Sequence, residues 1–178
     1  NGKAINQPVS FSIKQGDRLS LNGRNGAGKS SLLKLLQNYD ISFTGELRIG
    51  SNLTISYVNQ DTSFLTGSLS EYIYENGLND SLFKTMLKKL DFSRIQFEKD
   101  MSEYSGGQKK KVLLAKSLCE NAHLYIWDEP LNFIDIFSRM QIEQLILEYQ
   151  PTLIFVEHDA TFTQNIATKI VEVNPSSV

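Results

Sequence analysis

Gly23-Arg24-Asn25-Gly26-Ala27-Gly28-Lys29-Ser30 fits the spacing G-x-x-x-x-G-K-[ST] of a phosphate-cradling loop. Its neighbours suit that mechanism. Arg18-Leu19-Ser20-Leu21 reads as a strand running into the loop, and Leu32, Leu33, Leu35 and Leu36 give an apolar helix face directly after it. Glycines at 23, 26 and 28 permit positive φ and close backbone approach, so successive N–H groups can curl round a phosphate. The following helix aims its positive N-terminus at the same anion. Lys29 is expected to neutralise β- and γ-phosphate charge, and the Ser30 hydroxyl to ligate Mg²⁺.

Further along, Leu124-Tyr125-Ile126-Trp127-Asp128-Glu129 is a continuous apolar run ending in two carboxylates. A run of that kind suits a strand buried on both faces of a parallel sheet, where ligands bind beyond the carboxyl ends of the strands. Asp128 is placed to hold Mg²⁺, and Glu129 to polarise a water for in-line attack on the γ-phosphate. Alone, the pair would be a solvated strand end before Pro130; with the glycine loop on the same chain it reads as the second half of a phosphate site. Tyr125 and Trp127 read as core packing.

The remaining pattern is alternating. Val9, Phe11 and Ile13 alternate with polar residues, and Glu46-Leu47-Arg48-Ile49 with Ile55-Ser56-Tyr57-Val58 reads as a hairpin about Gly50-Ser51-Asn52. From Ser68 to about Leu90 the apolar residues recur at helical steps. A helix follows Gly107, another spans about Ile136 to Tyr149, and Leu153-Ile154-Phe155-Val156, a short helix and Lys169 to Val173 complete the order. Such alternation predicts an α/β fold with a parallel sheet and helices on both faces.

At 178 residues, 40% hydrophobic and 21% charged, the chain suits one globular domain, not a disordered chain or a disulfide-stapled scaffold. The net charge of −2 offers no broad positive field for nucleic acid or an anionic membrane. The single cysteine, Cys119, and the lack of Cys/His metal spacing favour a reducing, cytoplasmic setting. No apolar run approaches the roughly 20 residues that cross a bilayer, so no membrane insertion is expected. The polar start Asn1-Gly2-Lys3 lacks a signal-peptide core and opens in a strand-like region, as a domain cut from a longer protein would.

Ser105-Gly106-Gly107-Gln108 alone reads as a capping box, with Ser105 the N-cap and Gln108 its reciprocal partner. Lys109-Lys110-Lys111 after it reads as a solvated helix face. Yet five motifs stand in order: the loop at 23–30, Gln60 after a strand, Tyr104-Ser105-Gly106-Gly107-Gln108, Tyr125 to Glu129, and Val156-Glu157-His158-Asp159. In that order the chain resembles the ATP-binding cassette (ABC) superfamily over essentially its whole length. The resemblance implies a P-loop NTPase fold, its mostly parallel sheet joined by an N-terminal antiparallel β-subdomain and a small helical signature subdomain. Within one domain, 1–178, it divides the chain into 1–60, 61–105 and 106–178.

What the resemblance implies for the site is specific. ATP and Mg²⁺ are the ligands. Gly23, Asn25, Gly26, Ala27, Gly28, Lys29, Ser30 and Ser31 hold nucleotide, and Ser30, Gln60 and Asp128 hold the metal. Glu129, His158, Gln60 and Lys29 serve hydrolysis, and His123 is read as structural. Ser105, Gly106, Gly107 and Gln108 contact nucleotide bound by an opposing cassette, so the isolated domain is expected to be weakly active. After Glu129, Pro130-Leu131-Asn132-Phe133-Ile134-Asp135 stands where transporter cassettes more often read Ser-Ala-Leu-Asp. This wording is similar to the ABC-F branch, and within it to antibiotic-resistance members that protect ribosomes. The short stretch between Gln60 and Ser105 resembles a second cassette, with ribosome contacts elsewhere in the parent protein. The other reading is the ATPase subunit of a membrane transporter.

Overall fold

A computed structural model describes residues 5–176; the polar opening Asn1-Gly2-Lys3 lies outside them. Five parallel strands form one sheet: β1 (Arg18–Asn22), β2 (Ile55–Val58), β3 (Leu124–Asp128), β4 (Leu153–Val156) and β5 (Lys169–Glu172), in the order β2-β3-β4-β1-β5. All four pairings are parallel. The central strand β4 is buried at every residue, as its unbroken apolar run requires.

Helices pack on both faces. On one, α1 (Lys29–Leu36) inserts Leu33 among Leu19, Leu21, Ile126, Ile154 and Val156. On the other lie α4 (Gly106–Cys119), α5 (Ile136–Tyr149) and α6 (Ala160–Ile166), whose Leu114, Ile142 and Phe162 pack with Trp127 and Phe155. The same core continues into α2 (Leu69–Glu75) and α3 (Asp80–Lys89), with two 3₁₀ turns at Arg94–Glu98 and Met101–Glu103.

Two expectations are corrected. The N-terminal antiparallel β-subdomain is not formed as a ladder; among the described residues the one antiparallel pairing is the isolated bridge Asn6–Pro175. Val9, Phe11 and Ile13 still pack inward against the α1 face, so the alternation is real. Ile55–Val58, however, pairs in parallel with β3, and 46–49 has no strand pairing with it. Side-chain burial without backbone pairing satisfies the period-2 pattern equally well. The helical stretch from Ser68 to Leu90 is two helices. Gly77 takes φ 61 between them, and Asn79 restarts the chain by accepting a hydrogen bond from the Leu82 N–H at 2.9 Å.

Candidate active site

Because the strands are parallel, the segments that follow β1, β2, β3 and β4 emerge along one edge of the sheet. They are the glycine loop, Gln60, Asp128-Glu129 and Glu157-His158.

The glycine loop has left-handed or open backbone at Gly23 (φ 147), Gly26 (φ 79) and Gly28 (φ 94). Gly23 is also forced by space, since a Cβ there would lie 2.2 Å from the Val173 carbonyl oxygen. The α1 helix is begun by Gly28 and has no side-chain cap, whereas Ser68, Asn79, Ser105, Asp135 and Asp159 cap the other five α-helices. The first-turn amides of α1, including those of Lys29, Ser30 and Ser31, are therefore donors without an intrahelical acceptor, ready for an anion. Lys29 is buried, and its Nζ donates to the carbonyls of Gly23 at 2.7 Å and Arg24 at 3.1 Å. The ammonium thus bridges its own loop at the place where phosphate charge would sit.

Asp128 is 3% exposed, and its Oδ1 is the one buried side-chain polar atom without a hydrogen-bond partner among the described residues. Burial pushes its carboxyl up, partly countered by the Ser30 hydroxyl beside it and by Lys110 and Lys29. An orphaned buried carboxylate oxygen next to a hydroxyl fits a divalent cation. Among the described residues no group of three or more His, Cys, Asp or Glu side chains could hold a metal alone. That suits Mg²⁺, which is usually bound by one or two carboxylates together with substrate phosphates. Ser30, Gln60 and Asp128 line a cleft of about 300 Å³ with Tyr57, whose phenol is pushed up to about 12 by burial and by Asp128.

Glu129 leaves β3 with φ 50, a left-handed conformation costing about 1–2 kcal/mol in a non-glycine residue. Its N–H donates to the Val156 carbonyl at 2.9 Å. Its carboxylate gathers three neighbours: Oε2 accepts from Gln60 Nε2 at 2.8 Å and Asn132 Nδ2 at 2.5 Å, and Oε1 lies 3.4 Å from His158 Nε2. Gln60, Glu129 and His158 thus meet, with Asn132 as a fourth member. Sequence reasoning had read Asn132 only as a branch marker; its place three residues after a carboxylate was the available signal.

Ser105 and Gln108 form the capping box: Ser105 Oγ accepts from the Gln108 N–H at 3.2 Å, and Gln108 Oε1 from the Ser105 N–H at 2.9 Å. Gly107 is required by the chain itself. A Cβ on Gly107 would lie 2.3 Å from the Phe133 carbonyl oxygen, and one on Gly106 would meet the Phe133 ring at 3.3 Å. The lysines after them are not a solvated face. Lys110 is 1% exposed, and Lys111 is buried in an ion pair with Asp135 at 2.7 Å. Helical spacing turns 110 and 111 toward the sheet and the 130–135 loop, where carbonyl and carboxylate partners wait. His123 is structural, its Nδ1 accepting from the Thr54 N–H at 3.0 Å.

Glu157, also absent from the sequence reading as a site residue, is buried and accepts from the N–H groups of Leu131, His158 and, at 3.4 Å, Asp159. It clamps the loop after β3 to the loop carrying His158.

The family model described as "ABC transporter" matches residues 6–132. The chain belongs to this family. Relatives of the cassette include the putative ATP-binding protein YdiF of Bacillus subtilis, 36% identical over 97% of this chain. Another is ABC transporter F family member 2 of Arabidopsis thaliana, 29% identical over 96%. The cassette spans 28% and 26% of those relatives' lengths. Among solved structures it is similar to the archaeal ribosome recycling factor aABCE1, crystallised with the ribosomal stalk protein aP1. The TM-score is 0.70 and the identity 25%, over 90% of this cassette and 32% of that chain. Fold class and family therefore agree with the motif order, and the cassette has homologues in the ABC-F branch. Among the described residues no helix is long and apolar enough to cross a membrane.

Proposed function

We propose that this ABC cassette binds and hydrolyses ATP with Mg²⁺, closing head-to-tail on a second cassette. The observation that carries the reading is the convergence on one sheet edge of an uncapped α1, an orphaned Asp128 oxygen and a Glu129 held by Gln60, Asn132 and His158. The loop at 23–31 holds the phosphates through backbone N–H groups and Lys29. Ser30, Gln60 and Asp128 hold Mg²⁺, which when bound neutralises phosphate charge. Glu129 takes the proton of the attacking water, and His158 steadies Glu129 and faces the γ-phosphate. The Ser105–Gln108 turn is exposed at the end of α4 and serves nucleotide held by the opposing cassette.

We further read the parent protein as a cytoplasmic ABC-F member, this being its second cassette, that acts on the ribosome and confers antibiotic resistance. Support comes from the F family relative, the likeness to a ribosome recycling factor, and the Leu131-Asn132-Phe133-Ile134-Asp135 wording. The test is co-sedimentation of the parent protein with ribosomes under ATP when Glu129→Gln blocks hydrolysis, with restoration of translation in the presence of drug by the unaltered protein. Failure of both would remove the ribosome from the reading and leave ATP hydrolysis standing.

A further inference from the structure

Lys110 is the most deeply buried charged side chain among the described residues, 1% exposed, in the first turns of α4. Burying an ammonium costs several kcal/mol unless it is closely paired, so its partners are informative. Its Nζ donates to the main-chain carbonyls of Asn59 at 2.9 Å and Gln60 at 3.3 Å. Burial pushes the ammonium down, while Asp128, Glu129, Glu157 and Asp61 push the other way and favour the charged form. The side chain of the same Gln60 donates to Glu129 Oε2 at 2.8 Å. One covalent and hydrogen-bonded line therefore runs from α4 through Lys110 and Gln60 to Glu129.

The other end of that line is the signature. Ser105 caps α4, and Gly106 and Gly107 form its first turn. The helix behind them buries Val112, Leu114 and Ala115 in the core. We propose that Lys110 is a positioning residue that ties the signature helix to Gln60, so that engagement of Ser105–Gln108 by a second cassette sets the hold of Gln60 on Glu129. The inference rests on the roles given above to Gln60 and Glu129. It adds a route by which assembly is sensed in the cassette's own hydrolytic centre.

Turnover at saturating Mg–ATP, at protein concentrations where the rate per chain no longer rises, is compared for the unaltered chain, Lys110→Met, Gln60→Ala and the double variant. The expected result is a fall of about tenfold in kcat for each single variant with KM within about twofold, and no further fall in the double, since both cut one line. Multiplying effects in the double, or an unchanged kcat in Lys110→Met beside a slow Gln60→Ala, overturns the inference alone. An unchanged kcat in Gln60→Ala overturns the reading of Gln60 and this inference with it. A second measurement stands if Lys110→Met does not fold. Amide exchange of residues 59–61 should slow about tenfold when Mg–ATP assembles Glu129→Gln. It should slow clearly less in Glu129→Gln/Ser105→Arg, where Mg–ATP still reaches Gln60 but the signature is blocked. Equal exchange in the two overturns the proposal.

Discussion

The N-termini of α1 and α4 both begin in glycine-rich turns, and they are built in opposite ways. At α1 the cap is Gly28 in a left-handed conformation, and no side chain meets the first-turn amides. At α4 Ser105 and Gln108 satisfy two amides reciprocally, and Gly107 is there because the Phe133 carbonyl passes close by. The first terminus is incomplete without an anion. The second is complete as a fold element and shows only its outer surface. A helix start left bare where every other described α-helix is capped fits the proposed phosphate site, whereas a capped one suits a contact made with something bound elsewhere.

The largest expected effect breaks chemistry while leaving α1 intact. Glu129→Gln should lower turnover by about 10²–10⁴-fold, the range for loss of a general base, with ATP affinity kept. A rapid-quench assay beside calorimetric binding checks this, and equal loss of both would mean that Glu129 shapes the α1 site instead. Next, Lys29→Ala should weaken ATP binding by roughly 30- to 100-fold, since it removes charge-assisted contacts worth ~2–3 kcal/mol. Calorimetric titration with Mg–ATP reads the loss.

Smaller effects sharpen the α4 side. Lys111→Met should destabilise the fold by about 1–2 kcal/mol at pH 7, because Asp135 is half-exposed and its pairing is partly screened. Burial would raise the Asp135 carboxyl, but Lys111 and the Ser138 amide and hydroxyl outweigh it and hold it below the usual range. A depressed folded value gives stability that is present above the unfolded value of 3.8 and lost as pH falls through the folded one. Urea melts of variant and unaltered chain should therefore stay apart at neutral pH and begin to converge only as the pH falls below about 4. Ser105→Ala should cost about 1 kcal/mol in the nucleotide-free chain, whereas ATP should slow amide exchange at 28–31. Exchange mass spectrometry and thermal melts read both.

Most of the sheet and the edge that carries the candidate site were legible because each strand is an apolar run and each site segment follows one directly. β3 and β4 could be read from their apolar runs alone, and α5 was placed at Ile136 to Tyr149, while its Asp135 cap was not read. The missed parts depend on distance across the fold. Nothing local distinguishes a strand that pairs from the inward-alternating 9–13 segment that does not. Nothing in Lys109-Lys110-Lys111 says that 110 and 111 turn inward, since the carbonyls of Asn59 and Gln60 lie about 50 residues away in sequence. Asn132 contributes through a loop whose left-handed turns, at Glu129 and Phe133, a sequence pattern does not display.

The central claim is that the bare α1 and the capped α4 are two halves of one kind of site, joined only between cassettes. Sedimentation of Glu129→Gln saturated with Mg–ATP tests it most directly. The account predicts a monomer without nucleotide, a dimer with it, and a nucleotide-bound monomer when Ser105→Arg is added. A chain that fills with Mg–ATP and stays monomeric at every concentration, with Glu129 intact chains hydrolysing at a rate independent of concentration, would contradict it.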